Sequence, residues 1–394
     1  MKNSAKSNNI SKIIIYQEQP PGSELKAGGS IYAHSLPDMQ GAQLAVIDAD
    51  AQGRKYKNKA EALETADNKT ESTPWEEYIL QAHELLNPSG VLAFLSSAEE
   101  SAAYKLLLDK IFRPENFVNQ IIWHYALPGS AKKHFLKRHS VIYIYAKSKK
   151  YYINTLADGR ERCHGGRVHL KKLTGPDGRS FYQASRGNKT LKYYADQQIP
   201  FDDVWDIPKI NIKSPESTGY PGQKPLALAD RIILCFTRPG DSVIDFTCAG
   251  GSFVLSACIH GRPFNGLACS RNDAHISFTR LLSAGCPRLE MHGGFSSTKE
   301  VVSLNMLERP KSLEIFLDGY GRSSAFSSQR PDGLDCVDFW AVGQIENNAF
   351  ISGCFALKGG NADALNKCLK ARKEKSCAVY IADIYGREKL IKLK

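Results

Sequence analysis

The chain has 394 residues, enough for two or three domains of roughly 150 residues each. With 42% apolar and 10% aromatic residues it has the composition of a packed globular protein, which excludes wholesale disorder and fibrous classes. The formal net charge of +11 is concentrated: residues 131–200 carry sixteen Lys and Arg against Asp158, Glu161, Asp177 and Asp196, a net +12 that leaves −1 elsewhere.

The longest apolar runs, 231–236 and 140–145, are far shorter than the ~20 residues needed to cross a bilayer. The polar, lysine-bearing start of the chain is followed by no signal-peptide core. A soluble, cytoplasmic protein with no membrane association is expected. Ten cysteines with no C-x-x-C pair read as free, mostly buried thiols rather than as a disulfide framework or a zinc site. Asp202, Asp203 and Asp206 lack a partner pattern for metal and read as a capped turn, so no metal is expected.

In chain order, residues 44–47 form the first strand candidate and end at Asp48; a polar loop, 49–72, follows. Thr73 and Glu76 are spaced as a capping box around Pro74, and Trp75, Ile79, Ala82 and Leu86 recur at helical spacing until Asn87-Pro88 stops the helix. A buried-type strand at 91–95, a helix at 102–112 and strands at 117–123 and 141–145 come next. The basic stretch then shows little periodicity, with turns at Gly165-Gly166 and at 175–178. From Pro225, Leu226, Ala229, Ile233 and Phe236 trace one helical face, and Arg238-Pro239-Gly240 ends that helix. A strand at 242–244 stops at Asp245, and a turn of small residues, 248–252, opens a helix over 253–260. Strand and helix alternate, which predicts an α/β fold with a mostly parallel sheet. From about Leu313 the tail reads as a separate β-rich region, with strands at 337–342 and 378–382.

The basic stretch is rich in aromatic residues: Phe135, Tyr143, Tyr145, Tyr151, Tyr152, Phe181, Tyr182, Tyr193 and Tyr194. Cations interleaved with aromatics suit a phosphate backbone, although charge alone does not name the polymer. Lys132, Lys133, His134, Lys137, Arg138, Arg162, Arg167, Lys171, Lys172 and Arg186 are the candidate contacts. The strand–glycine turn–helix unit at 243–260 is an element that cradles nucleotide-like cofactors, because glycine admits close backbone approach and the helix start offers free N–H groups.

Around this unit the sequence resembles the β-class amino-methyltransferases of DNA, including the Mod subunits of type III restriction systems. Tyr220-Pro221-Gly222-Gln223-Lys224-Pro225 is similar to the family's H-P-T-Q-K-P segment. The run from Arg238 to Asp245 resembles the approach to its D-P-F-A-G-S-G-T turn, and Gly261-Arg262-Pro263-Phe264-Asn265-Gly266 resembles its G-R-x-F-x-G strand entry. Segments 115–123, 139–147 and 203–208 flank the basic stretch as family segments do. The resemblance implies a Rossmann-like methyltransferase fold divided as a tail and lead-in (1–30), a catalytic half (31–131), a target-recognition insert (132–205), a cofactor half (206–300) and a small C-terminal domain (301–394). It also implies S-adenosylmethionine as cofactor, DNA as partner, and a homodimer or a heterodimer with an active methyltransferase or another restriction-modification subunit. The cofactor candidates are Gln223, Lys224, Asp245, Phe246, Thr247, Ala249, Gly250, Gly251, Ser252 and Ala268; Gln223 and Lys224 have the alternative of capping the helix at Pro225. Cys248 in the turn reads as structural filler, since amine methylation needs no thiol nucleophile.

Departures from the family fall on the residues that carry its chemistry. The D-P-P-Y tetrapeptide, whose acid accepts from the target amine and whose aromatic stacks on the flipped base, corresponds to Asp48-Ala49-Asp50-Ala51. Asp48 and Asp50 are the catalytic candidates. Thr247 and Ala249 replace a phenylalanine and a glycine of the cofactor turn, and the acid that would hold the ribose hydroxyls is Ala268. A DNA-binding member with impaired catalysis, binding cofactor weakly or not at all, is therefore the leading expectation. An active adenosylmethionine-dependent adenine or cytosine amino-methyltransferase is the alternative, and a chain that grips structured RNA is a third reading.

Overall fold

The computed structural model describes residues 12–16, 27–32, 41–50, 75–126, 128–130, 132–156, 172–186, 189–194, 200–292, 300–322, 333–358, 365–374, 376–384 and 386–393. Its elements run β1 (Lys12–Tyr16), β2 (Gly29–Tyr32), β3 (Ala42–Asp48), α1 (Trp75–Leu85), β4 (Leu86–Ser97), α2 (Ser101–Phe112), β5 (Phe117–His124), β6 (His139–Ala146), β7 (Lys172–Thr174), β8 (Ser180–Arg186), β9 (Lys189–Tyr194), β10 (Val204–Asp206), α3 (Leu226–Phe236), β11 (Val243–Asp245), α4 (Ser252–Ile259), β12 (Phe264–Leu267), α5 (Arg271–Ser283) and β13 (Arg288–His292). The C-terminal region follows as β14 (Glu300–Glu308), β15 (Ser312–Arg322), β16 (Val337–Glu346), β17 (Ala349–Leu357), β18 (Cys368–Arg372), β19 (Cys377–Asp383) and β20 (Glu388–Lys392).

Fourteen strands form one sheet in the order β10-β5-β6-β4-β3-β11-β12-β2-β13-β1-β17-β16-β19-β20. From β4 to β13 every neighbouring pair is parallel. The near-continuous apolar runs of β3 and β4 follow from burial on both faces. Leu44, Val46, Val91, Ala93 and Leu95 enter one core with α3, α4 and α5, while Ala45, Ile47, Leu92 and Phe94 enter the other with α1 and α2. The central part is thus a three-layer α/β fold, as the alternation of elements predicts. After β3 the chain crosses to β4 on one side, and after β11 it crosses to β12 on the other. The carboxyl ends of β3 and β11 therefore meet at a point where strand order reverses, the usual place for a ligand crevice in such sheets.

Several features differ from the sequence reading. Residues 1–30, read as a tail and lead-in, supply β1 and part of β2; β1 pairs with β13 and β17, contacts far apart in the chain that no local pattern signals. The stretch 132–205 contains β6, a member of the main sheet between β5 and β4. The same stretch also holds an antiparallel sheet β7-β8-β9, with its first turn at Gly175–Gly178. The C-terminal region is antiparallel β as expected but shares the main sheet through β1 and β17, and β14-β15-β18 packs a second layer on it through Ile315, Leu317, Trp340, Val342 and Val379. Helix α1 begins at Trp75; Thr73 and Pro74 lie outside the described residues. Of the nine described cysteines, six are buried. Among the described residues no helix is long and apolar enough to cross a membrane.

Candidate functional site

At the strand-order reversal, a cleft with about 260 Å³ of empty space is lined by Asp48, Tyr220, Gly222, Gln223, Lys224, Asp245, Thr247, Ala249, Gly250, Gly251, Ser252 and Phe253. Asp48 ends β3 and Asp245 ends β11, which places two carboxylates side by side at the carboxyl edge of the sheet. Asp48 is 4% exposed. Lys224 Nζ lies 2.5 Å from its Oδ2, and the Asp50 backbone N–H donates to its Oδ1 at 3.2 Å. Burial pushes the Asp48 carboxyl up, against the pull of the Lys224 ammonium. Burial likewise raises Asp245 to about 7, with the Asp48 charge adding to the effect and hydrogen bonds from Thr247 opposing it.

Thr247 stitches the two strand ends together. Its hydroxyl accepts the Asp48 backbone N–H at 2.8 Å and donates to Asp245 Oδ1 at 3.3 Å, while its own backbone N–H donates to the same oxygen at 2.9 Å. The residue that departs from the family turn therefore ties the Asp48 backbone to the Asp245 carboxylate. Gly251 takes φ +67°, a conformation that favours glycine, and starts α4 without a side-chain cap. A Cβ on Gly250 would meet Gln223 Cγ at 2.9 Å, so the 220–224 segment packs directly on the turn.

That segment is held by residues the sequence did not single out. The Gln223 side chain accepts the backbone N–H and the hydroxyl of Thr218, both at 2.7 Å, and donates to the Glu216 carbonyl at 2.7 Å. Glu216 Oε1 accepts the Leu226 backbone N–H at 2.6 Å, so Glu216 caps α3 and neither Gln223 nor Lys224 does. Ser252 Oγ donates to the Lys224 carbonyl at 2.6 Å. Arg280 donates to the Gly250 carbonyl at 2.5 Å and to Ser252 Oγ at 2.9 Å, and Ser277 Oγ donates to the Ala249 carbonyl at 2.7 Å. Tyr220, Gly222 and Phe253 also line the cleft and are not among the residues expected there, although the first two belong to the Tyr220–Pro225 segment and Phe253 follows the turn; Glu216, Ser277 and Arg280 act from other elements and leave no spacing signal.

The lining unites Asp48 with Gln223, Lys224, Asp245, Thr247, Ala249, Gly250, Gly251 and Ser252. It omits three candidates. Phe246 is fully buried against Tyr78 in the core under α1 and α2. Ala268 is buried, with its N–H donated to the Tyr32 carbonyl at 2.8 Å. Asp50 folds back toward β6, where Ser140 Oγ donates to its Oδ2 at 3.5 Å. The Cys248 thiol is buried, which pushes it well above the usual thiol range and fits a packing role.

The basic candidates fall in two places. Lys132, Lys133, His134, Lys137 and Arg138 lie on the β5–β6 connection, where Lys137 pairs with Glu99 and Arg138 is half-buried. Lys172 is exposed at the start of the β7-β8-β9 sheet, in which Arg179 lies 4.2 Å over the Tyr194 ring and Lys192 4.9 Å over Phe181. Arg162, Arg167 and Lys171 lie outside the described residues, as does the side chain of Arg186. Asp206 pairs with His124 at 3.0 Å, and the Asp202 carbonyl accepts from the Trp205 indole at 3.0 Å.

Comparison with known proteins adds the family. DNA adenine methyltransferase YhdJ of Escherichia coli (strain K12) is 28% identical over 208 residues, covering 52% of this chain and 65% of that protein. Type II methyltransferase M.EcaI of Enterobacter cloacae is 24% identical over 238 residues, covering 48% of this chain and 52% of that protein. The chain thus spans between half and just under two thirds of the length of these curated relatives. Among solved structures, the PvuII DNA methyltransferase (cytosine-N4-specific) is similar over 65% of this chain and 89% of its own, at 13% identity and a TM-score of 0.41. The DNA methylase family of the N6/N4 type matches residues 54–276, more than half of the chain. Together with the methyltransferase-type arrangement of strand, glycine turn and helix at the cleft, this match makes the chain a member of the N6/N4 DNA amino-methyltransferase family.

Proposed function

We infer that this chain binds DNA through its basic elements and that methyl transfer at its cleft is strongly impaired. The observation that carries the reading is the state of the two carboxylates in the cleft. Asp48 is engaged by Lys224 and the Asp50 N–H, and Asp245 by the N–H and hydroxyl of Thr247. The position at which the family supplies a ribose-binding acid is the buried Ala268. S-adenosylmethionine therefore fits these residues poorly: the glycine turn and the start of α4 suit a nucleoside cofactor, but both carboxylates of the lining already accept hydrogen bonds within the protein and the ribose position carries Ala268.

Magnitudes support the same reading. Losing the aromatic that stacks on the target base costs roughly 1–3 kcal/mol, and losing a charged hydrogen bond to the ribose about 1.5–3 kcal/mol. The total, about 2.5–6 kcal/mol, corresponds to roughly two to four decades in rate or affinity. A non-catalytic subunit that works beside an active methyltransferase is the role this combination suits. The retention of Asp48 and Asp245 at the edge where strand order reverses favours, as a second reading, a slow adenosylmethionine-dependent enzyme with an atypical D-A-D-A motif.

Calorimetric titration with S-adenosylmethionine, repeated on Asp245→Ala, separates the two. Heat absent at millimolar ligand supports the impaired reading. Micromolar binding that disappears in Asp245→Ala, accompanied by methylation of DNA, would replace it with the active enzyme.

A further inference from the structure

The connection between β5 and β6 leaves the sheet at the edge where the cleft opens. Asp48 lies opposite Leu95 on the parallel strand β4, and Ser97 of β4 lies opposite Ser140 on the antiparallel β6, so the connection enters β6 at the same edge of the sheet as the end of β3, with β4 between them. The neck of this connection is closed and anchored. The Tyr125 N–H donates to the Arg138 carbonyl at 2.9 Å, and the Tyr125 hydroxyl lies 3.2 Å from Ser140 Oγ, the group that reaches Asp50. Lys209 sits 3.7 Å over the Tyr125 ring, and Lys137 pairs with Glu99 just past β4.

Beyond this neck the connection displays Lys132, Lys133, His134 and Phe135, all exposed, with Phe135 at 98%. A single exposed apolar residue is ordinary on a protein surface. This one sits between cations on a loop whose neck is anchored at the sheet edge that also carries the cleft, in a chain whose sequence has Ala51 where the family carries its base-stacking aromatic. Cations on both sides of an unpacked aromatic ring match one partner chemistry: phosphates with a base between them.

The geometry points to Phe135 as a base-stacking residue, which places its ring on a DNA base at the sheet edge that carries the cleft while Lys132 and Lys133 contact the flanking phosphates. The inference rests on the DNA binding proposed above and adds the residue that engages the base. It separates electrostatic from stacking contributions: the lysines carry the salt dependence, and the ring carries a salt-independent part of the affinity.

The test is fluorescence anisotropy of the full chain with a labelled duplex and with the same duplex carrying a central mismatch, over a range of salt. Phe135→Ala is expected to weaken binding roughly fivefold to 150-fold, most on the mismatched duplex, with an unchanged salt slope. Phe135→Trp is expected to retain affinity, with indole fluorescence quenched by DNA. Wild-type affinity in Phe135→Ala, or equal losses in the Ala and Trp variants, would overturn stacking while leaving DNA binding in place. A change of oligomeric state in Phe135→Ala without a change in DNA affinity would overturn it in favour of a protein contact. Failure of the wild type to bind any duplex would remove both the inference and the DNA binding on which it rests.

Discussion

Lys224 Nζ and Asp48 Oδ2 stand 2.5 Å apart in a pair whose side chains are each 6% exposed, joining the segment before α3 to the end of β3. Removing one member of a buried pair strands the other charge and costs about 3–5 kcal/mol. Lys224→Met should therefore destabilise the chain by that order in urea unfolding. Its cost should grow with pH, because Asp48 must then ionise without its counter-charge. The double variant Lys224→Met, Asp48→Asn should lose clearly less than the sum of the single variants; additive losses would show that the pair does not interact.

Asp245 gives a pH signature of definite sign. Its native carboxyl is raised from 3.8 to about 7, mainly by burial, so between those values the folded state holds a proton that the unfolded chain has released. Stability should fall as pH rises through that window, by up to about 1.4 kcal/mol per pH unit, and level off above it. Asp245→Asn should flatten this slope and gain on the wild type toward neutral pH. Parallel stability–pH curves for the two proteins would contradict the assignment.

Thr247 offers an isosteric test of the bridge between the strand ends. Thr247→Val removes the hydroxyl that accepts the Asp48 N–H and donates to Asp245, leaving a buried donor unsatisfied. A loss of about 1–3 kcal/mol is expected, with Thr247→Ser close to wild type. Equal behaviour of the two variants in thermal unfolding would show that the hydroxyl is not used.

Much of this fold was legible because its signals are local. The apolar run before Asp48, the runs at 91–95 and 141–145, and the small-residue turn before α4 are each bounded by turn or polar residues, and each became an element within a few positions of its expected limits. The parts that escaped depend on distant partners. Strand β1 is stabilised by β13 and β17, and the polar helix α5, capped by Ser270 Oγ accepting the Asp273 N–H, is fixed by what packs around Ala274, Phe278 and Leu281. At the site the motif carriers were visible, whereas the Lys224–Asp48 pair and the Glu216 cap of α3 join residues whose spacing has no periodic meaning.

The electrostatic part of DNA binding is separately measurable. Lys132→Ala and Lys133→Ala should each reduce the slope of log affinity against log salt by about 0.9, with losses similar across unrelated sequences. An unchanged slope would move the phosphate contacts to the β7-β8-β9 sheet.

The most direct measurement is incorporation of labelled methyl groups from S-adenosylmethionine into duplex DNA by the purified full chain, at DNA concentrations that saturate binding, beside Asp48→Ala. Saturable DNA binding with methyl incorporation no higher than in Asp48→Ala is expected. Turnover on the order of once per second or faster, abolished in Asp48→Ala, would contradict it and make the chain an active methyltransferase with an unusual pocket.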